Sequence, residues 1–162
     1  MKVTVTKDHL GEVLKSIRDL TKSRALIGVP DVNAGRDDDE PISNAEIGYI
    51  METGSPSQNI PPRPHLIPGE EGARDKIANH LAIGAQKALG GEGGAVDIAL
   101  HRAGLEGSTA VKRKIDEGPF EPLAPRTLQA RKARGRTGEK PLIDTGQYRN
   151  SITYVVRKKG ES

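Results

Sequence analysis

Residues Asn59–Leu66 read NIPPRPHL, three prolines and an arginine set between stretches that otherwise favour helix. Pro61 and Pro62 fix φ, and Pro64 pushes Arg63 toward extended backbone, so the segment is stiff before any tertiary contact forms. A polyproline ligand can have this composition, but such ligands lie in exposed tails, and this segment lies between two apolar-striped helices. It reads as a fixed corner of the fold, from which HLIP (His65–Pro68) leaves as a short strand or edge. Arg63 is the one charge in that corner. It is expected to pair with a carboxylate, Glu52 first, within or between subunits.

Upstream of the corner, ISNAEIGYIMETG (Ile42–Gly54) has the grammar of a capped helix. Ser43 or Asn44 can cap it, Glu46 sits near the third position after Ser43 as in a capping box, Ile47, Ile50 and Met51 make one face, and Gly54 is placed to end it. Before it, DVNAGRDDDEP (Asp31–Pro41) has no apolar period and is read as a mobile exposed loop. Its four consecutive acids lack the spaced ligands and interposed glycine of a calcium loop, so a solvated loop is preferred to a cation site. Further back, KVTVT (Lys2–Thr6) and RALIGVP (Arg24–Pro30) read as strands. Between them Leu10, Val13, Leu14, Ile17 and Leu20 form a helical stripe, with Thr6 or Asp8 as its cap.

Downstream, a helix is expected over Gly69–Leu89, with Glu70 and Glu71 at its positive N-terminal end. Residues GGEGG (Gly90–Gly94) break it, and Val96, Leu100, Ala103, Val111 and Ile115 mark a second helix that folds back on the first. The segment Asp116–Pro141 is proline-rich and then basic, and reads as an extended arm or flexible loop with a turn or two of helix at Thr127–Arg134. A DTGQ turn follows, in which Asp144 or Thr145 caps a short helix, and then a β-branched strand at Ser151–Val156. The expected fold class is α+β, a small curved antiparallel sheet packed by helices with extended loops or an arm. One domain spans 1–162, carrying the loop 31–41 and the arm 116–141.

Composition narrows the function. Only four aromatic residues are present, Tyr49, Phe120, Tyr148 and Tyr154, so Ala, Leu, Ile and Val must do the packing, and support from neighbouring subunits is expected. The absence of cysteine excludes disulfides, thiolate metal sites and a cysteine nucleophile. No apolar leader or membrane-length apolar run occurs, so a cytoplasmically made protein with no membrane contact is expected. From Lys112 to Lys159 the chain holds 13 Lys/Arg against 5 Asp/Glu, leaving 12 against 17 elsewhere. Such asymmetry suits either a nucleic acid or head-to-tail contact between identical subunits.

Catalytic constellations are lacking. His9, His65, His80 and His101 are scattered, and Asp97 with His101 at i, i+4 reads as a surface charge pair. The tripeptide Asp144-Thr145-Gly146 occurs in aspartic protease loops, but here it reads as a helix-capping turn. GGEGG lacks the Lys-Ser/Thr of a phosphate loop. No catalytic residue, cofactor or metal is assigned, and the protein is read as a non-enzyme.

Two stretches together carry a resemblance. NAEIGYIMETGSPSQNIPPRPHLIP (Asn44–Pro68) resembles an A-x-h-x-h-x-E-x-G helix (h, apolar) running into an I-P-x-R-P-F-L corner, and KPLIDTGQYRNSITYVV (Lys140–Val156) resembles a P-L-x-D-T-G-x-L-R-x-S-I element. Both patterns belong to neck and tail-completion proteins of tailed bacteriophages, the group of HK97-gp10-like and phage virion morphogenesis proteins. The two stretches cover about a quarter of the chain. Departures are His65, where Phe is usual, and Tyr148, where Leu is common.

The resemblance implies a structural virion protein assembled in a host cytoplasm. It implies a ring, commonly of six subunits, at the top of the tail, meeting a head-side connector or stopper on one side and a tail terminator or tail tube protein on the other. A terminator role controlling tail length is an alternative. Glu52, Pro61, Pro62, Arg63, Pro64, Asp144, Thr145, Gly146 and Arg149 are the candidate interface or corner residues. Arg126, Arg131, Lys132, Arg134 and Arg136 are candidates for contact with DNA in the channel or with a neighbouring subunit, and the alternative function is nucleic-acid binding by the 126–140 arm.

Overall fold

The computed structural model describes residues 10–36 and 41–160. The strand expected at Lys2–Thr6, the caps Thr6 and Asp8, and the acidic run Asp37–Glu40 lie outside the described residues. The amphipathic stripe forms helix α1 (Leu10–Lys22), which passes without a loop into strand β1 (Ser23–Gly28). Strand β2 (Thr153–Lys158) pairs with β1 antiparallel, Leu26 opposite Val155 and Ile27 opposite Tyr154. The fold is α+β, with a two-stranded antiparallel sheet and helices among the described residues.

The centre of the molecule is helix α5 (Ala95–Glu117), the long return helix expected from its apolar spacing. It packs against helix α4 (Arg74–Leu89) and against one face of the sheet. With so few aromatic rings, this core gains contact by bringing backbones together. A Cβ at Gly104 would collide with the ring of Tyr154, one at Gly107 with Ile27, and one at Gly69 would lie 2.7 Å from the Cα of Val111. Small residues therefore take the place of large side chains, and dispersion is recovered through close approach. Two apolar clusters result. Ala88, Ala95, Val96 and Leu100 meet Leu20, Ala25, Leu81 and Val156, while Val111, Ile115, Tyr148 and Ile152 meet Ile27, Ile47, Leu66 and Leu142.

Three expectations need correction. Helix α1 does form, but Leu10, Leu14 and Ile17 stay 63%, 49% and 42% exposed; of its stripe only Leu20 reaches a core cluster, because no other described element covers that side. The single helix expected over Gly69–Leu89 is two. Helix α3 (Leu66–Gly72) starts earlier, and Ala73, at φ −101° and ψ 0°, separates it from α4. Glu70 and Glu71 thus close α3 and do not sit at a helix N-terminus. Residues His65–Pro68 are not a strand or edge: His65 caps α3, and Pro68 falls in the first turn, where a missing N–H costs nothing.

The expected flexible arm is also a built part of the fold. Helix α5 ends at Gly118 (φ 68°), an extended segment runs to Ala124, and helix α6 (Pro125–Ala133) follows with Pro125 in its first turn. Helix α6 has no apolar stripe, so its ordering rests on side-chain bonds that sequence periodicity cannot reveal. In the loop 31–41, residues 31–36 are tied down as well. Asp31–Asn33 make a 3₁₀ turn, the Ala34 carbonyl accepts from the Asn44 amide at 2.8 Å, and the Asn44 side chain donates to the Gly35 carbonyl at 2.8 Å.

Candidate functional site

The proline corner is assembled from four places in the chain. Helix α2 (Asn44–Thr53) begins with the expected capping box between Ser43 and Glu46, whose carboxyl the Ser43 amide and hydroxyl hold below the ordinary range. It ends at Gly54, with φ 78°. A side chain there would meet the nitrogen of Pro62 at 2.9 Å, so glycine lets the corner fold back against the helix end. An isolated bridge joins Ser55 to Ile60, and the Arg63 amide donates to the Met51 carbonyl at 2.6 Å. Pro62 and Pro64 are exposed and Pro61 half-buried, so the prolines shape the turn from outside while Arg63 and His65, 4% and 0% exposed, point inward.

Arg63 does not pair with Glu52. Its Nε donates to the Glu121 carbonyl at 2.8 Å and its Nη2 to the Pro122 carbonyl at 2.9 Å. Burial draws its pKa below the usual guanidinium value, partly offset by the charge of Glu121. A fork of donors at fixed spacing matches two successive backbone carbonyls of the segment between α5 and α6. Arg63 thus clamps the segment that leads into α6.

Glu52 serves a different partner, the start of α3. Its carboxylate accepts from the amides of His65, Leu66 and Ile67 at 2.7, 2.9 and 3.1 Å, satisfying donors that a helix start leaves unpaired. A negative charge there also meets the positive end of the helix. The last turn of α2 therefore caps the first turn of α3 across the corner.

His65 connects the corner to the second motif. Its Nδ1 lies 2.7 Å from the Arg63 carbonyl, which can only accept, so the proton sits on Nδ1 and Nε2 accepts from the hydroxyl of Tyr148. Burial lowers the pKa of His65, against the opposing pull of the Arg63 carbonyl and of Glu52, whose carboxylate is 3.2 Å from Nδ1. Burial also raises the pKa of Tyr148, aided by the charge of Glu52. The two positions that depart from the motif patterns are thus in direct contact, 83 residues apart in sequence.

Tyr148 belongs to helix α7 (Gln147–Ser151). The DTG turn ahead of it is left-handed at Gly146 (φ 85°), and the Thr145 hydroxyl accepts from the Gln147 amide at 3.3 Å. The N-cap position of α7 is Gly146, which has no side-chain cap bond, so neither Thr145 nor Asp144 caps the helix as expected; Thr145 makes only this local turn bond. The Asp144 carboxylate holds Arg136, and Arg131 Nε stands 3.4 Å away. Arg131 is 9% exposed and donates to the carbonyls of Gly138 and Lys140 at 2.8 and 3.0 Å. Arg149 grips Asp116 through two bonds of 2.7 and 2.5 Å, which hold the Asp116 carboxyl below its usual range and raise the Arg149 pKa.

The basic residues of the arm divide accordingly. Arg131 and Arg136 are spent on Asp144 and nearby carbonyls, and Arg126 donates to the Gln58 carbonyl at 3.1 Å, tying α6 to the loop before the corner. Lys132 and Arg134 are exposed and have no side-chain partner among the described residues. Asp97 and His101 are an exposed pair 3.7 Å apart, as read, and no group of three potential metal ligands occurs among the described residues.

Sequence reasoning placed Glu52, Arg63, Asp144 and Arg149 at the site but missed His65, Tyr148 and Asp116. The signal for the first two was their departure from the motif pattern. Asp116 carried none, since it is one of many acids. Among the described residues no helix is long and apolar enough to cross a membrane. No family model, curated protein or solved structure matches the chain.

Proposed function

We propose that this chain is a structural protein of a tailed-phage neck, which forms a ring at the top of the tail, completes the tail and joins it to the head connector. The observation that supports this reading is the meeting of the two motif-bearing stretches. The Asn44–Pro68 stretch and the Lys140–Val156 stretch close on each other through His65 and Tyr148, with Glu52 and Arg63 fixing the surrounding backbone. Residues that resemble one family in two distant places thus form one rigid unit. Glu52, Arg63, His65 and Tyr148 are engaged with one another and with backbone, an arrangement that fixes shape, while the buried amide oxygens of Asn44 and Gln147 have no partner among the described residues.

In the ring, the corner orders each subunit and neighbouring copies cover apolar surface that one chain leaves open. Tyr49 is 71% and Ile67 61% exposed, and α1 displays Leu10 and Leu14. A heterologous contact that closes by rotation can bury such patches on every subunit. The test is the mass of the purified full chain by mass photometry, together with micrographs of particles made without it. Closed rings, six subunits being the expected number, and tailless heads beside finished tails are the expected results. A monomer at every concentration, with normal particles, would overturn the reading; overlong tails would indicate a terminator in its place.

A further inference from the structure

In the arm Arg126, Arg131 and Arg136 are occupied and only Lys132 and Arg134 remain open, so a second group of cations on the ribbon has to be weighed against them. The side of the β1–β2 ribbon away from α5 carries Arg24, Leu26, Val155 and Arg157, because side chains alternate between faces and Ala25, Ile27, Tyr154 and Val156 face α5. Arg24 and Arg157 are directly opposed partners in the ladder. Neither guanidinium bonds an acidic side chain among the described residues. Like charges set directly across a ladder destabilise it, and here nothing in the described fold offsets them. Next along the ribbon, the Lys159 amide donates to the Lys22 carbonyl at 2.5 Å, which brings two more exposed lysines to the same end. The shallow groove along this face is floored by Leu26, Gly28, Thr153 and Val155; its one acid, Asp31, lies past Pro30 at the other end.

We infer that this ribbon face docks on duplex DNA, with Lys22, Arg24, Arg157 and Lys159 on the phosphates and the ribbon in the major groove. Two paired strands about 5 Å apart fit a groove about 12 Å wide, and the apolar floor suits thymine methyl groups. The absence of aromatic side chains from the face disfavours stacking on single strands. The inference needs neither the ring nor the arm.

Fluorescence anisotropy of the full chain with a labelled 20-base-pair duplex, from 50 to 300 mM salt, tests it. Four phosphate contacts predict a slope of log K against log salt of about −3 to −4, and Arg24→Ala with Arg157→Ala removes about half of it. Lys132→Ala with Arg134→Ala leaves both affinity and slope unchanged. The ribbon variant should melt at or above the parent temperature, since it relieves a repulsion, so lost binding cannot be laid to misfolding. The inference is overturned by no binding at 50 mM salt, by loss of binding in the Lys132/Arg134 variant alone, or by equal affinity for a single strand of the same length. A change of subunit number in Arg24→Glu with Arg157→Glu, with no DNA affinity in the parent, also overturns it and assigns the face to contact between copies.

Discussion

Replacing Glu52 by alanine should destabilise the fold by about 2.5–4 kcal/mol. Three backbone amides lose their acceptor at once. Loss of a helix cap costs about 1 kcal/mol, and loss of a negative charge at a helix start costs about 0.5–1 more. The His65 amide belongs to a residue with no exposure and cannot turn to water, which adds about 1–2 kcal/mol. Glu52→Gln keeps a side-chain oxygen for the amides and loses only the charge, so its cost should be about 1–2 kcal/mol. Urea unfolding followed by circular dichroism separates the two variants. For a chain of this length the alanine variant should also melt about 5–15 °C lower. An alanine variant within about 0.5 kcal/mol of the parent would refute the capping role, and a glutamine variant as damaged as alanine would show that charge alone matters.

Two other perturbations probe the same corner. Arg63→Met keeps an aliphatic stem but frees the Glu121 and Pro122 carbonyls, so about 2–3 kcal/mol should be lost, with faster hydrogen exchange in residues 119–134 and unchanged protection in α5; equal exchange in both would deny that Arg63 clamps this segment. Because His65 has a folded pKa below its ordinary value of about 6.5, the folded state binds fewer protons than the unfolded chain, and stability should fall as pH drops below about 6.5, by up to about 1.4 kcal/mol per unit. His65→Phe should abolish that slope between pH 6.5 and 5.5. The contribution of Asp116, whose pKa is also lowered but from 3.8, is lost only in stronger acid, so the two effects occupy separate windows. An unchanged slope in His65→Phe would remove His65 as its source.

Local signals were legible wherever the code is local. The capping box at Ser43, the stop at Gly54 and the glycine break after Leu89 each act through neighbours within a few residues, and each formed as read, while the β-branched strand read at Ser151–Val156 formed two residues later, over Thr153–Lys158, because α7 takes Ser151. The stiffness of Asn59–Leu66 was equally plain, because proline restricts φ in any context. The sequence by itself therefore determined the fold class, the stop at Gly54, the break after Leu89 and the presence of a corner, but not the break at Ala73.

Tertiary structure decided what that corner holds. Glu52 and Arg63 are both charged and close in sequence, and their mutual attraction was the natural expectation. The folded chain instead gives each of them backbone groups, since helix starts and extended segments present donors and carbonyls that must be satisfied once buried. The arm shows the same limit: α6 lacks an apolar stripe, and the segment around it is held by Arg63, Arg126 and Arg131 reaching carbonyls. Backbone acceptors are identical at every residue, so no pattern of side chains marks which of them a distant arginine will find. Only the close approach of α2, α3, α5 and α7 selects them, and with them the contact of His65 with Tyr148.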